Sequence, residues 1–436
     1  MAIKRVVIHL GTAKAGSTSI QRTLFTNSVI LERNGFRYLT EWGESHIRFF
    51  ENLFSPDPVR PLNNYYGPLM TEEERQDCIK TITDTMLQVV NTTNCETLVL
   101  SGEYWGGLVR DSIIANVKEF IKNYFISRGV EVTIFYLVRN PLTWIISAEQ
   151  QALFGGFYST YDDFYKDQMD TYYKAVYNLQ KHFSDSLILL KFEDAVNDKD
   201  GLVGCFLKTI GFPQEEIHNM NILKVNESHC MEAVEFINYI EDIESFLPFG
   251  NEEFVNPNRY LFDLNPLYGI KGAKFDLPYR SKLELWDRFG EIVRLLKINT
   301  GIDYTDYKIP LPTEQETYSE KTILGFIEAF PKLSPILQKH FLRFFEKKYA
   351  ETGHVKFRRL YFQNSVPRLL YNALPEEKKR SAEETEKILL TNENAGLNNL
   401  LQSVIRERDA MLNSRSWRIT KPLRKIKAAL KRVAGR

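Results

Sequence analysis

The stretch that decides the fold is RVVIHLGTAKAGSTSIQRTL, residues 5–24. Within its first six residues, Val6, Val7, Ile8 and Leu10 form an apolar run rich in β-branched side chains, which is typical of a buried strand. A helical pattern begins near Ser17, so the residues between form a strand-to-helix turn. Gly11 and Gly16 permit a tight turn and a close approach of the backbone to a ligand. Because a helix N-terminus attracts phosphate or sulfate, and Lys14 adds a positive charge, the stretch predicts an anion-binding turn.

This turn departs from the nucleotide-triphosphate P-loop at one position. Gly11 and Gly16 have the four intervening residues of that pattern, but Ser17 follows the second glycine where the pattern requires lysine, and Lys14 stands inside the loop. Two interpretations remain open on this stretch alone: a different kind of anion loop, or a tight turn without a ligand.

Composition excludes several classes of protein. The 436 residues can bury a large core, and 56 basic residues balance 56 acidic ones, so no specific nucleic-acid partner is expected. The four cysteines are widely spaced with no Cys-x-x-Cys pair, which favours a reducing compartment and argues against a disulfide scaffold and a zinc site. No apolar stretch approaches the ~20 residues of a transmembrane helix. We therefore expect a cytoplasmic protein.

Strand and helix patterns alternate along the first half of the chain. Strands are predicted at residues 5–10, 97–100, 132–138 and 187–192, with helices at 72–90 and 112–125 between them. This alternation predicts an α/β fold of the P-loop type, with three layers around a central parallel sheet. After about Met231 the patterns become helical, so a mostly helical C-terminal region is expected.

A second candidate anion site lies in VTIFYLVRNPLTWIISAEQQ, residues 132–151. An apolar strand ends before Arg139, and Asn140 followed by Pro141 is a favourable helix start. Arg139 therefore stands at the carboxyl edge of a parallel strand, where α/β folds bind ligands and where a guanidinium can grip a phosphate. Ser147, two helical turns on, offers a hydroxyl to the same anion. The alternative is an arginine paired with a nearby acid and a serine packed on the backbone.

Taken together, the two sites resemble those of the sulfotransferase family that uses 3′-phosphoadenosine 5′-phosphosulfate (PAPS). The opening HLGTAKAGSTSIQ (residues 9–21) is similar to the bacterial carbohydrate sulfotransferases. Residues 186–212 and 224–238 resemble later segments of the family, so the likeness covers about residues 3–240.

The resemblance implies roles for the residues of both sites. The first loop would hold the 5′-phosphosulfate of PAPS through Thr12, Ala13, Lys14, Ala15, Gly16, Ser17 and Thr18. Arg139 and Ser147 would hold the 3′-phosphate. Lys14 would also act catalytically, because negative charge grows on the departing phosphate. PAPS is then the co-substrate, and no metal is required.

The acceptor must lose a proton, and Glu103 in TLVLSGEYW (residues 97–105) is the candidate base. It follows a predicted strand, and bacterial relatives carry a similar Ser-x-Glu there. The structural alternative is that Glu103 caps the next element or pairs with Arg110. His9 and Glu193 are the other candidates. His9 lies in an apolar run, which favours a core histidine, and Glu193 is expected to hold structure or to help orient the acceptor.

The chain ends in a basic segment, SRSWRITKPLRKIKAALKRVAGR, residues 414–436, which contains nine Lys or Arg residues and no acid. Interleaved apolar residues favour binding to an anionic membrane surface over a solvated tail. We expect a sulfotransferase-like domain at residues 1–365, divided near residue 240, and a helical, basic tail at 366–436 that offers a dimer interface. The expected acceptor is a carbohydrate, as a bacterial surface polysaccharide or a lipid-linked intermediate at the inner membrane face. The alternative functions are a P-loop kinase or nucleotide-binding enzyme, and a non-catalytic scaffold with this fold.

Overall fold

A five-stranded parallel sheet forms the centre of the fold. The computed structural model describes residues 3–62, 68–154, 161–224, 229–243, 264–313, 315–353 and 357. The strands in chain order are β1 (Arg5–Leu10), β2 (Phe36–Tyr38), β3 (Thr97–Gly102), β4 (Glu131–Val138) and β5 (Leu187–Lys191). Their spatial order is β2-β3-β1-β4-β5, and every pairing is parallel. The carboxyl ends of β3, β1 and β4 therefore meet at one edge of the sheet.

Helices cover both faces of the sheet. Those between the strands are α1 (Ser17–Thr26), α2 (Ser28–Arg33), α3 (Ile47–Phe54), α4 (Glu72–Thr92), α5 (Asp111–Tyr124), α6 (Pro141–Phe154) and α7 (Tyr161–Phe183). Those after β5 are α8 (Phe192–Val196), α9 (Gly201–Thr209), α10 (Gln214–Ile217), α11 (Met231–Ile243), α12 (Tyr279–Thr300), α13 (Glu320–Ala329) and α14 (Pro335–Thr352).

Alternation along the strands divides the core into two parts. In β4, Phe135 and Leu137 pack with residues of α1 and α9 on one face. Tyr136 and Val138 pack on the other face with residues of α5, α6 and α7. Successive strand side chains point to opposite faces, so a strand covered on both sides reads as one continuous apolar run. The predicted α/β fold, with three layers and a central parallel sheet, is confirmed.

Most predicted elements have the expected bounds, and two points differ. The short edge strand β2 was not predicted, because its three residues follow Gly35 without a recognisable apolar run. Phe192, predicted as the last residue of a strand, instead begins α8. The described residues after Met231 are mostly helical as predicted, with an isolated antiparallel bridge between Cys230 and Lys274. The predicted tail, residues 366–436, lies outside the described residues.

Candidate functional site

The turn between β1 and α1 lies at the carboxyl edge of the central strand. The N–H of Gly11 donates to the carbonyl of Gly102 at the end of β3 (2.8 Å), which joins the loop to the neighbouring strand. Lys14 (φ 63°) and Gly16 (φ 77°) both adopt the left-handed backbone conformation, and α1 begins at Ser17 as predicted. This conformation is unfavourable for a residue with a side chain, and such residues concentrate at functional sites.

The loop presents several donors without protein acceptors. Within the described part of the chain, the N–H groups of Lys14, Gly16 and Ser17 have no hydrogen-bond acceptor. The half-buried ammonium of Lys14 has no direct hydrogen bond or ion pair there either. Converging N–H groups at a turn and a helix N-terminus form an anion-binding concavity. The residues present therefore fit a phosphate or sulfate group.

Arg139 approaches the loop from the end of β4, as predicted. Its Nη1 donates to the carbonyl of Lys14, its Nε donates to Thr143 Oγ1 (3.2 Å), and its guanidinium stacks 5.0 Å from the ring centre of Phe192. Nη2 makes no hydrogen bond to the residues that the structure describes. Burial lowers the pKa of Arg139, but an arginine stays charged in a protein. A fixed cation thus keeps the N–H groups of Nη2 for a ligand.

The backbone around Arg139 is held from several sides. The N–H of Arg139 donates to the hydroxyl of Tyr172 (2.9 Å), and that hydroxyl donates to the carbonyl of Arg139. Asn140 Oδ1 accepts from the N–H groups of Leu142 (2.9 Å) and Thr143 (3.3 Å), so the predicted N-cap is confirmed. Arg139 is therefore placed by a rigid strand end and a capped helix.

Glu193 completes this helix start and is fully engaged. Its Oε1 accepts from the N–H of Asn140 (3.0 Å) and the hydroxyl of Thr143 (3.2 Å), and its Oε2 accepts from the hydroxyl of Tyr304 (2.8 Å). Tyr304 also lies within hydrogen-bonding distance of the carbonyl of Val138 (2.7 Å). These contacts support the structural role expected for Glu193 and leave it poorly suited to act as a base.

Glu103 follows β3 directly, on the other side of the loop. Burial raises its pKa to about 7, while the charge of Lys14 and the hydroxyl of Ser17 favour the charged form. Burial likewise lowers the pKa of Lys14, with Glu103 acting to raise it and Arg139 to lower it. The pairing of Glu103 with Arg110 that the sequence left open is not observed, because Arg110 pairs with Asp57. A carboxylate that titrates near neutrality beside an anion site is suited to proton transfer.

His9 is a core histidine, as its apolar surroundings indicated. It is fully buried, its Nδ1 lies 2.8 Å from Ser101 Oγ, and its ring packs against Phe135 and Phe206. Burial lowers its pKa to about 3, so it stays neutral and faces the core. Ser101, the serine of the Ser-x-Glu stretch before the candidate base, is this partner of His9.

The predicted site residues thus fall on the anion loop, two helices and two strand ends. Thr12, Ala13, Lys14, Ala15 and Gly16 form the loop, Ser17 and Thr18 begin α1, Glu103 follows β3, Arg139 follows β4, and Ser147 lies half-buried in α6. The side chain of Thr12 is used internally, since its hydroxyl donates to the carbonyl of Leu137 (2.7 Å).

Trp144 is a site residue that the sequence did not reveal. Its fully buried ring lies 4.7 Å from that of Tyr172, and its Nε1 donates to the carbonyl of Ala13 (2.9 Å). This bond ties the anion loop to α6, which carries Ser147. From the sequence, Trp144 is expected on the first turn of the helix that follows Arg139. Its contact with the loop depends on how that helix packs, which the sequence pattern does not give.

Two features are absent from the described residues. No three His, Cys, Asp or Glu side chains among them converge in a way that would hold a metal ion. None of the described helices is both long and apolar enough to cross a bilayer.

No protein-family model matches the sequence, and no curated protein matches it. Among solved structures, the chain is similar to a sulfotransferase from Alicyclobacillus acidocaldarius, with 12% identity, 69% of this chain and 96% of that chain covered, and a TM-score of 0.36. It is also similar to the sulfotransferase domain of the Synechococcus PCC 7002 olefin synthase, with 12% identity, coverage of 66% and 95%, and a TM-score of 0.31. A third is retinol dehydratase in complex with androsterone and inactive cofactor PAP, with 16% identity, coverage of 70% and 83%, and a TM-score of 0.30.

Proposed function

We propose that this protein is a sulfotransferase that moves a sulfuryl group from PAPS to a carbohydrate. The observation that carries the proposal is the anion loop itself. Lys14 stands inside the loop in a left-handed conformation, beside unpaired N–H groups and within the electrostatic reach of both Arg139 and Glu103. The sequence likeness to bacterial carbohydrate sulfotransferases rests on the same residues.

The chemistry assigns a task to each group. The acceptor hydroxyl gives its proton to Glu103 and its oxygen forms a bond to sulfur, while the bond from sulfur to the bridging phosphate oxygen breaks. The electron pair of that bond stays on the phosphate of the departing adenosine bisphosphate. Lys14 and the loop N–H groups stabilise the charge that grows there, which is the oxyanion type of catalysis.

Arg139 and Ser147 are proposed to bind the 3′-phosphate of the donor. The free Nη2 of Arg139 supports this role, because a charged hydrogen bond to phosphate is strong and directional. The N–H groups at the start of α1 would hold the 5′ side of the donor. Trp144 would connect the two proposed positions, because its Nε1 donates to Ala13 of the loop and it stands on the helix that carries Ser147.

The acceptor and location are proposed from the sequence alone. A bacterial surface polysaccharide or a lipid-linked glycan intermediate fits the sequence likeness and the basic segment of residues 414–436, which would bind the inner face of an anionic membrane. We propose that the tail, which the sequence predicts to be helical, offers a homodimer interface. Deletion of residues 414–436 is expected to abolish sedimentation with vesicles containing phosphatidylglycerol, and unchanged sedimentation would contradict the tether.

Transfer of radiolabelled sulfate from PAPS to a panel of bacterial polysaccharides tests the proposed activity. We expect incorporation into at least one polysaccharide, with losses in Lys14→Ala of about a hundredfold or more. The matched control is Lys4→Ala, an exposed lysine at the opposite end of β1 that pairs with Glu96 and should have no effect.

The same assay separates the alternatives. Phosphate transfer from ATP, with no transfer from PAPS, would support a kinase. Donor binding without transfer to any acceptor in a broad panel would support a non-catalytic scaffold.

A further inference from the structure

Two fully buried histidines hold Ser101 from different sides. His9 of β1 is paired in register with Ser101, and its Nδ1 lies 2.8 Å from the serine hydroxyl. His46, just before α3, makes two backbone contacts: its N–H donates to the carbonyl of Ser101 (2.9 Å), and its Nδ1 accepts the N–H of Ser101 (3.0 Å). Both histidines are 0% exposed. We call His9 and His46 the histidine bracket.

The bracket lies where β3 extends beyond its pairing with the edge strand β2. The edge strand β2 pairs with β3 only as far as Tyr38 and Val99, so Ser101 has no strand partner on that side. His46 supplies the donor and the acceptor that a strand would have provided. A buried N–H without an acceptor is costly, so this replacement is needed for β3 to continue to its carboxyl end.

The bracket itself is rigid. The ring of His46 stacks on Tyr38 with centres 4.7 Å apart and meets Trp42 edge-on at 5.4 Å. Burial lowers the pKa of His46 and of His9 to about 3, so both rings stay neutral. Because Nδ1 of His46 accepts the N–H of Ser101, the proton of this neutral ring is on Nε2.

The end of β3 is also packed too closely to shift. At Gly102, an added Cβ would lie 2.7 Å from Phe50 Cδ2 and 3.0 Å from the backbone nitrogen of Ile47, so α3 packs directly on this backbone. Glu103 follows immediately, and its side chain lies against the anion loop, since a Cβ added at Gly11 would be 3.3 Å from Glu103 Cγ. The bracket therefore fixes the residue two positions before the candidate base.

We propose that His9 and His46 are positioning residues that hold the Glu103 carboxylate toward Lys14 and Ser17. The inference rests on the proposed function, in which Glu103 takes the acceptor's proton. Neither histidine touches the substrate. Their effect is geometric, and a displacement of about 1 Å at a reacting group can cost roughly a hundredfold in rate.

The test compares His46→Ala, which removes the acceptor for Ser101, with His46→Asn, whose side-chain oxygen can replace Nδ1. The first readout is a carbon-13 NMR titration of the Glu103 carboxyl, assigned with Glu103→Gln. The wild-type signal should titrate near pH 7. In His46→Ala the carboxylate should lose the charge of Lys14 and the hydroxyl of Ser17, which favour its charged form, so its titration midpoint should rise by about one pH unit or more. His46→Asn should restore the wild-type midpoint.

The matched control is His340→Ala, which removes another buried histidine from α14, outside the sheet. It should reduce stability without moving the Glu103 midpoint. If His46→Ala does not fold, Ser101→Ala removes the side-chain contact to His9, keeps the backbone contacts to His46, and should raise the midpoint in the same direction. A wild-type midpoint in Ser101→Ala and in any folded His46→Ala would overturn the inference.

Turnover is the second readout, and it separates this inference from the proposed function. With PAPS as donor, kcat should fall about tenfold or more in His46→Ala while the donor KM changes little. If no sulfuryl transfer is found for the wild type but the NMR midpoints shift as expected, the proposed function fails and the positioning role stands. Transfer with unshifted midpoints in these variants contradicts the positioning role alone.

Discussion

Replacement of Gly16 by alanine tests the reasoning about the anion loop most sharply. Gly16 has φ 77°, and an added Cβ would lie 2.0 Å from Leu202 Cδ2. Gly35 is a matched control, because it has φ 80° and an added Cβ would meet nothing within 4 Å. Both substitutions place a side chain in the left-handed region, and only Gly16→Ala adds a collision.

The structure sets the expected magnitudes. The backbone conformation alone should cost each variant about 1–2 kcal/mol in the free energy of unfolding. The collision of the added methyl group with Leu202 should cost Gly16→Ala a further ~1–3 kcal/mol. We expect the lower end of this range, because Leu202 Cδ2 is the end of a flexible side chain that can move aside. Gly16→Ala should therefore be less stable than Gly35→Ala by about 1 kcal/mol or more.

Urea denaturation followed by circular dichroism measures both variants. In a double-mutant cycle, Leu202→Ala should recover the excess cost of Gly16→Ala, leaving only the backbone term shared with Gly35→Ala. Leu202 lies in α9. Equal destabilisation by Gly16→Ala and Gly35→Ala, or no coupling to Leu202, would refute the close packing of α9 on the loop.

Three further results are expected. Because the Glu103 base must be deprotonated, kcat/KM for sulfuryl transfer should rise with pH through about 7, and Glu103→Gln should lose this rise; a retained rise assigns it to another group. Trp144→Phe removes the bond to Ala13 and should lower the free energy of unfolding by about 1–3 kcal/mol in denaturation experiments, whereas an unchanged value would show that this bond contributes nothing. The folded-state pKa of His46 lies below its unfolded value, so its contribution to stability is present above about pH 6.5 and is lost as the pH falls. The stability difference between wild type and His46→Asn should therefore shrink by about 1.4 kcal/mol from pH 7.5 to 5.5, and a constant difference would contradict the neutral, buried ring.

The sequence predicts the strands well where burial on both faces makes them continuous apolar runs. β1 and β4 are such strands, and their ends fix where the loop and Arg139 lie. The edge strand β2 is different, because its sequence Phe36-Arg37-Tyr38 is short and carries a charged residue. Its pairing depends on the neighbouring β3 rather than on its own pattern.

The recognisable strands also determine how much of the site could be predicted. Lys14, Glu103 and Arg139 each follow the end of one of three adjacent strands, so parallel strand order is enough to bring them to one edge. Contacts that depend on how helices pack were not predictable from spacing. The bond from Trp144 to the loop and the contact of His46 with β3 are of this kind.

The measurement that tests the central claim most directly is calorimetric titration with 3′,5′-adenosine bisphosphate, with ATP and Mg²⁺ in parallel. The bisphosphate should bind at least about tenfold more tightly than ATP, which is ~1.4 kcal/mol. Arg139→Ala should weaken binding of the bisphosphate by about tenfold or more, while Arg128→Ala, at the opposite edge of the sheet, should leave it unchanged. Absence of bisphosphate binding, or tighter binding of ATP, would contradict the assignment of this loop to a PAPS donor.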